Sequence, residues 1–115
     1  MKLMDTIATL SALASEARLA VFRLLVKRGP QGYTPTELVE RLRVPAPTLS
    51  FHLKELAHAE LIVSRRDGRN LYYSANFERI RGLIGFLTDN CCSMADDACD
   101  TNCQPLMAAP QKKRA

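Results

Sequence analysis

Apolar residues recur at helical spacing through the first half of the chain, then alternate, then return to helical spacing before a segment rich in cysteine and aspartate. Leu3, Ile7, Leu10 and Ala14 fall on one stripe of a short first helix, a stripe that suits either the core or a second subunit. Residues 16 to 28 are apolar over much more than one face, with Ser15 as N-cap, Glu16 at the start and Lys27-Arg28 at the end, as a helix dipole favours. This predicts a central buried helix, stopped by Gly29-Pro30-Gln31-Gly32. Thr34, Pro35 and Glu37 make a capping box with proline at the first helical position, so a third helix starts at Pro35 and runs through Leu38, Val39 and Leu42. After the turn-forcing Val44-Pro45-Ala46-Pro47, the stretch from Pro45 to Leu61 reads as a fourth helix with two unlike faces. Leu49, Leu53, Leu56 and Ala57 form a core side, with Glu60 at its edge; Pro47, Thr48, Phe51, Lys54 and His58 form a side shaped to touch something else.

From Leu61 the pattern alternates, and two runs, 61–66 and 69–74, flank Asp67-Gly68, the preferred pair for a two-residue type I′ hairpin turn. Arg65, Arg66 and Arg69 cluster at its tip. A last helix from Phe77 to about Asp89 carries Phe77, Ile80, Leu83, Ile84 and Leu87 on one stripe, with Gly82 and Gly85 on its flanks and Phe86 facing away. Apolar residues on more than one side of a terminal helix in so small a protein predict a subunit interface. Two short helices joined by a tight turn, followed by a basic hairpin, give the fold class: mainly α with a β-hairpin wing (α+β), a winged helix-turn-helix. The partner implied is double-stranded operator DNA, with Thr48, Ser50, Phe51 and Lys54 at base edges or adjacent phosphates and Arg65, Arg66 and Arg69 on the backbone or in a minor groove. One short helix reads too few base pairs, so a homodimer is expected, its interface drawn from Leu3, Ile7, Leu10, Ile80, Leu83, Ile84 and Leu87.

Composition adjusts this picture in three ways. At 115 residues and 47% hydrophobic content the chain has room for one domain and a tail: residues 1–89 for DNA binding and dimerisation, 90–103 as a cysteine-rich segment, and 104–115 as a disordered basic tail. The net charge of +4 hides an asymmetry, because residues 89–103 hold four aspartates and no lysine or arginine, leaving +8 on the remainder and favouring a polyanionic partner. No stretch has the pattern of a signal peptide or the length of a membrane span, so a cytoplasmic protein is expected, whose four cysteines are thiols open to a soft metal or to redox chemistry. Neither C-x-x-C beside a βαβ unit, nor H-E-x-x-H, nor a phosphate-cradling glycine loop is present, so no enzyme and no organic cofactor is expected. His52 reads as a packing histidine with one hydrogen bond, His58 as solvated, Tyr72 and Tyr73 as sheet residues, and Phe51 as a thymine-methyl contact or, alternatively, a patch covered by the wing.

Thiolate-only ligation selects soft ions: trivalent arsenic or antimony would take three sulfurs in a pyramid, Zn(II) or Cd(II) four in a tetrahedron, and Cys91, Cys92, Cys99 and Cys103 supply either count. Residues S-E-A-R-L-A-V-F-R-L-L at 15–25, P-T-L-S-F-H-L-K-E-L at 47–56 and L-I-V-S-R-R-D-G-R-N-L-Y-Y-S at 61–74 resemble the ArsR/SmtB family of bacterial metal-responsive repressors, over most of residues 5–88. The family's commonest arsenic site, two cysteines one residue apart, would fall at Thr34-Pro35-Thr36, where this chain has no cysteine, and Phe51 stands where many members carry a basic residue. Other arsenic-responsive members use a C-terminal Cys-Cys pair and a downstream cysteine. The resemblance therefore implies arsenite as inducer, with antimonite as a further candidate, bound by Cys91, Cys92 and Cys99, with Cys103 the alternate third ligand. A repressor responding to Zn(II) or Cd(II), or to thiol oxidation, is the alternative. Adjacent cysteines cannot share a helical face, so the last helix is expected to unwind near Asn90 to let both sulfurs converge.

Overall fold

The computed structural model describes residues 1–94; Cys99, Cys103 and the segment 104–115 lie outside the described residues. Its elements are α1 (Leu3–Leu13), α2 (Glu16–Arg28), α3 (Pro35–Leu42), α4 (Ala46–His58), β1 (Ile62–Asp67), β2 (Asn70–Ala75) and α5 (Phe77–Thr88). This is the winged helix-turn-helix order.

The first helix turns its apolar stripe outward. Thr6 and Thr9 face the core instead, and burial is tolerable because their hydroxyls donate to the carbonyls of Lys2 at 3.0 Å and Asp5 at 2.8 Å. Leu3, Ile7 and Leu10 are left 61%, 51% and 42% exposed, with Met4 beside them. Of the two fates open to that stripe, the chain's own core is not the one taken.

α2 starts at Ser15, whose hydroxyl accepts from the Arg18 amide, and stops at Gly29, φ +89. It buries Val21, Phe22 and Leu25 but leaves Leu19 and Val26 exposed, so it lies on one side of the core rather than at its centre. The capping box at Thr34 forms in full: Thr34 Oγ1 accepts from the Glu37 amide at 3.2 Å and Glu37 Oε1 from the Thr34 amide at 2.9 Å. Arg43, in the left-handed region at φ +55, turns the chain from α3 into α4.

α4 is shorter than its sequence pattern suggests. Ala59 is its C-cap, and Glu60, at φ +62, stands where a helix-ending glycine is usual. The Leu61 amide reaches back to the Leu56 carbonyl at 3.0 Å and the Glu60 amide to the Ala57 carbonyl at 2.9 Å, the paired bonds of a Schellman motif. Leu49, Leu53 and Leu56 are buried, whereas Ala57 is exposed and Ala59 takes its expected place inside. Together with Val21, Phe22, Leu25, Tyr33, Leu38 and Ile62, the three leucines make the core against which α4 is seated.

The hairpin register also differs from the expected one. Asp67 pairs with Asn70, so the loop is Gly68-Arg69, and a positive φ (+67) occurs at Gly68 only, the sign pattern of a type II′ turn. The turn is one residue later than Asp67-Gly68, and β2 slides two residues along β1. That slide preserves the faces, and it sets the small Ala75 opposite Ile62, both buried. Tyr33, ahead of α3, adds an isolated bridge to Tyr73, with reciprocal bonds of 2.9 and 2.8 Å, so α3 is pinned to the wing.

Candidate functional site

The outer face of α4 carries the residues singled out for DNA. Thr48, Ser50, Phe51 and Lys54 are all exposed, held in place by the buried leucines behind them, and Phe51 is 54% exposed with its ring tilted against His52. Ser50 and Lys54 line a cleft of about 510 Å³, together with Ala57, His58, Pro35 and Tyr73, while Thr48 and Phe51 are not part of its lining. Ala57, expected on the core side, is exposed and lines this cleft beside His58, which the outward face already includes. His52 differs from expectation, since its Nδ1 is buried with no hydrogen-bond partner among the described residues.

The three wing arginines divide as well. Arg65 is drawn back onto the α2–α3 loop, donating to the carbonyls of Pro30 at 3.4 Å and Gln31 at 3.3 Å, with its guanidinium 4.9 Å from the centre of the Tyr72 ring opposite it. Arg66 and Arg69 make no hydrogen bond or ion pair among the described residues and are exposed. A second basic group, absent from the sequence reading, lies beside the loop: Arg28 and Arg41 each stand 4.8 Å from the centre of the buried Tyr33 ring. No pattern in the sequence brings those three together, because the contact depends on the loop's path.

At the far end of α5 the helix stops at Thr88, and Asn90 and Cys92 take left-handed values, φ +59 and +60. The Cys91 and Cys92 sulfurs then stand 3.6 Å apart on an exposed turn. Two thiolates sharing one ion at about 2.3 Å per bond lie about 3.3 to 3.8 Å apart for angles from a right angle to tetrahedral, so the pair fits a common soft ion. No third His, Cys, Asp or Glu completes such a group among the described residues.

On the candidate dimer face, Leu3, Ile7, Leu10 and Leu87 are exposed, Ile84 is half-buried, Ile80 packs on the core, and Leu83, at 5% exposure, is inside the chain itself. α1 and α5 are in contact, so their outward apolar residues lie on adjoining elements.

Comparison with known proteins places this architecture. A helix-turn-helix domain family matches residues 13–65. The arsenical resistance operon repressor of Bacillus subtilis is 36% identical over 81 residues, covering 70% of this chain and 73% of that protein. The chain belongs to the ArsR family of transcriptional regulators. The match of this ArsR-family chain to the regulator KmtR of Mycobacterium tuberculosis, 42% identical over 48 residues, covers 42% of the chain and 37% of KmtR, well under two thirds of that relative. Among solved structures, the homodimeric winged helix-turn-helix DNA-binding domain Mb0332 of Mycobacterium bovis superposes with a TM-score of 0.60 at 25% identity, covering 76% of this chain and 82% of that one. No helix among the described residues is long and apolar enough to cross a membrane.

Proposed function

We propose that this ArsR-family chain is a homodimeric repressor that binds a near-palindromic operator and releases it when trivalent arsenic is captured by its C-terminal cysteines. The observation that carries the reading is the pair of sulfurs 3.6 Å apart just beyond the end of α5, on a helix-turn-helix scaffold. The B. subtilis relative's name, an arsenical resistance repressor, supports the choice of ion. Cys91 and Cys92 supply two sulfurs and Cys99 the third, with Cys103 as alternate; antimonite, sharing the same pyramidal preference, is a second inducer. Leu3, Ile7, Leu10, Ile84 and Leu87 form the dimer face; Leu83, committed to the chain's own interior, contributes no free surface to it. The paired α4 helices then address successive major grooves about 34 Å apart.

Release requires that arsenic bind the free dimer more tightly than the operator-bound one, with couplings of this kind on the order of 1 to 3 kcal/mol. X-ray absorption at the arsenic edge of the loaded protein tests the ligand set by counting sulfurs. Three sulfurs and no oxygen are expected, falling to two in Cys99→Ser unless Cys103 substitutes. Failure to take up arsenic, with tight four-sulfur uptake of Zn(II) or Cd(II), would move the assignment to those ions.

For DNA, Ser50, Lys54, Thr48 and Phe51 read the groove, and Arg66 and Arg69 hold phosphates. Replacing Arg66 or Arg69 by alanine is expected to weaken all duplexes alike and to flatten the slope of log Kd against log salt by about one phosphate contact each. Arg65→Ala is expected to flatten that slope less than either of these while lowering the melting temperature, because two of its N–H groups are engaged by the loop carbonyls. Equal slope losses at all three positions would contradict this division.

A further inference from the structure

We propose that Asn76 is the positioning residue through which α5 moves the DNA-reading helix α4; this rests on the arsenic-release reading above. Asn76 stands where the two helices meet. Its Oδ1 caps α5 by accepting from the Arg79 amide at 3.4 Å, its Nδ2 donates to the Glu60 carbonyl at 2.9 Å, and its own amide donates to the Leu61 carbonyl at 2.8 Å. Glu60 is the left-handed residue that terminates α4, and Arg79, one turn into α5, holds Nη1 3.9 Å from its carboxylate. The first turn of α5 is therefore tied to the last turn of α4 by side-chain and main-chain bonds at one point. At 1.5 Å per residue α5 is a rod about 18 Å long, and the cysteine pair sits just past its other end.

The joint also has room to move. A cleft of about 340 Å³ opens beside it, lined alike by charged groups (Asp5, Arg18, Glu55) and by small ones (Ala8, Ala12, Ala59), so the facing side chains leave space between the end of α4 and α1 there. Arg79 Nε is buried with no partner among the described residues, and Nη1 of the same guanidinium stands 3.9 Å from the Glu60 carboxylate, beyond hydrogen-bond distance. A small shift of α5 would bring those two groups together, which supplies a second arrangement for the same contacts. A helix rotation set at Cys91 and Cys92 then changes the seat of α4, not only the spacing between subunits.

Asn76→Asp and Asn76→Ser both keep an oxygen to cap α5 and both remove the amide that reaches Glu60. Operator affinity is measured for each full-length variant with and without sodium arsenite, alongside arsenic uptake by equilibrium dialysis. Arsenite is expected to weaken wild-type binding roughly 5- to 150-fold. In both variants uptake is unchanged and that ratio falls about fivefold, the equivalent of one hydrogen bond. A wild-type ratio retained in both variants overturns the role of Asn76 while leaving arsenic release intact. A wild type that binds arsenic without releasing DNA overturns both, and loss of arsenic uptake in the variants shows a structural defect and counts against the coupling.

Discussion

Gly32→Ala is expected to destabilise the domain by about 3 to 4 kcal/mol, lowering its melting temperature by roughly 15 to 25 °C. Gly32 has φ +74, and a Cβ there would stand 2.3 Å from the Tyr73 carbonyl oxygen and 2.9 Å from its carbon. Both atoms are backbone, and the same Tyr73 exchanges two hydrogen bonds with Tyr33, so the wing strand cannot retreat without losing the bridge that pins α3. The Gly32 carbonyl also accepts from Arg28 Nε at 3.0 Å. Gly29 provides the control: its φ is +89, but nothing lies within 4 Å of a Cβ added there. Gly29→Ala incurs only the conformational term, about 1 to 3 kcal/mol, for a backbone at φ +89 and ψ −165 that is essentially reserved for glycine. The two variants, melted at one protein concentration because a dimer's stability depends on it, separate steric clash from backbone preference. Equal melting temperatures would contradict the close approach of the loop to the wing.

The second large effect is on regulation. Cys91→Ser and Cys92→Ser are each expected to abolish arsenite-driven release, reducing a 5- to 150-fold change in operator affinity to about onefold. A hydroxyl is a hard, weakly acidic ligand that does not replace a thiolate on a soft ion. Each substitution also removes one arm of the 3.6 Å pair. Both residues are exposed beyond the last helix, so folding and operator affinity without arsenite stay as in wild type. Fluorescence anisotropy of a labelled duplex reads both quantities at once; full release by either variant would remove that cysteine from the site.

Much of the scaffold was legible because its signals are local. Ser15 and the Thr34-Pro35-Thr36-Glu37 box fix the starts of α2 and α3 to the residue, since each cap acts within one turn. The helix-turn-helix and wing follow from element order. What local pattern could not show was direction and register. The apolar stripe of α1 suits the core or a second subunit equally, and only the fold shows it turned outward, with two threonines that satisfy their own hydroxyls buried in its place. The end of α4 is announced by no glycine, because Glu60 takes the left-handed position. The hairpin turn lies at Gly68-Arg69, where glycine supplies the positive φ that the first position of a type II′ turn needs, a second favoured turn that the same residues offer.

The candidate site was legible in kind and less so in assembly. Cys91 and Cys92 were evident as a pair, and the unwinding near Asn90 followed from their adjacency. Arg65 looked equivalent to Arg66 and Arg69 until the loop carbonyls of Pro30 and Gln31, more than thirty residues away in sequence, claimed two of its donors. The stacking of Arg28 and Arg41 on Tyr33, and the bond from Asn76 to Glu60, likewise depend on the path of the chain and not on a local pattern.

The most direct measurement is a titration of sodium arsenite into the wild-type protein bound to a labelled operator duplex, followed by anisotropy. A fall to the free-duplex value, complete at one arsenic per chain, is expected. Undiminished anisotropy with arsenic bound at that stoichiometry would contradict it.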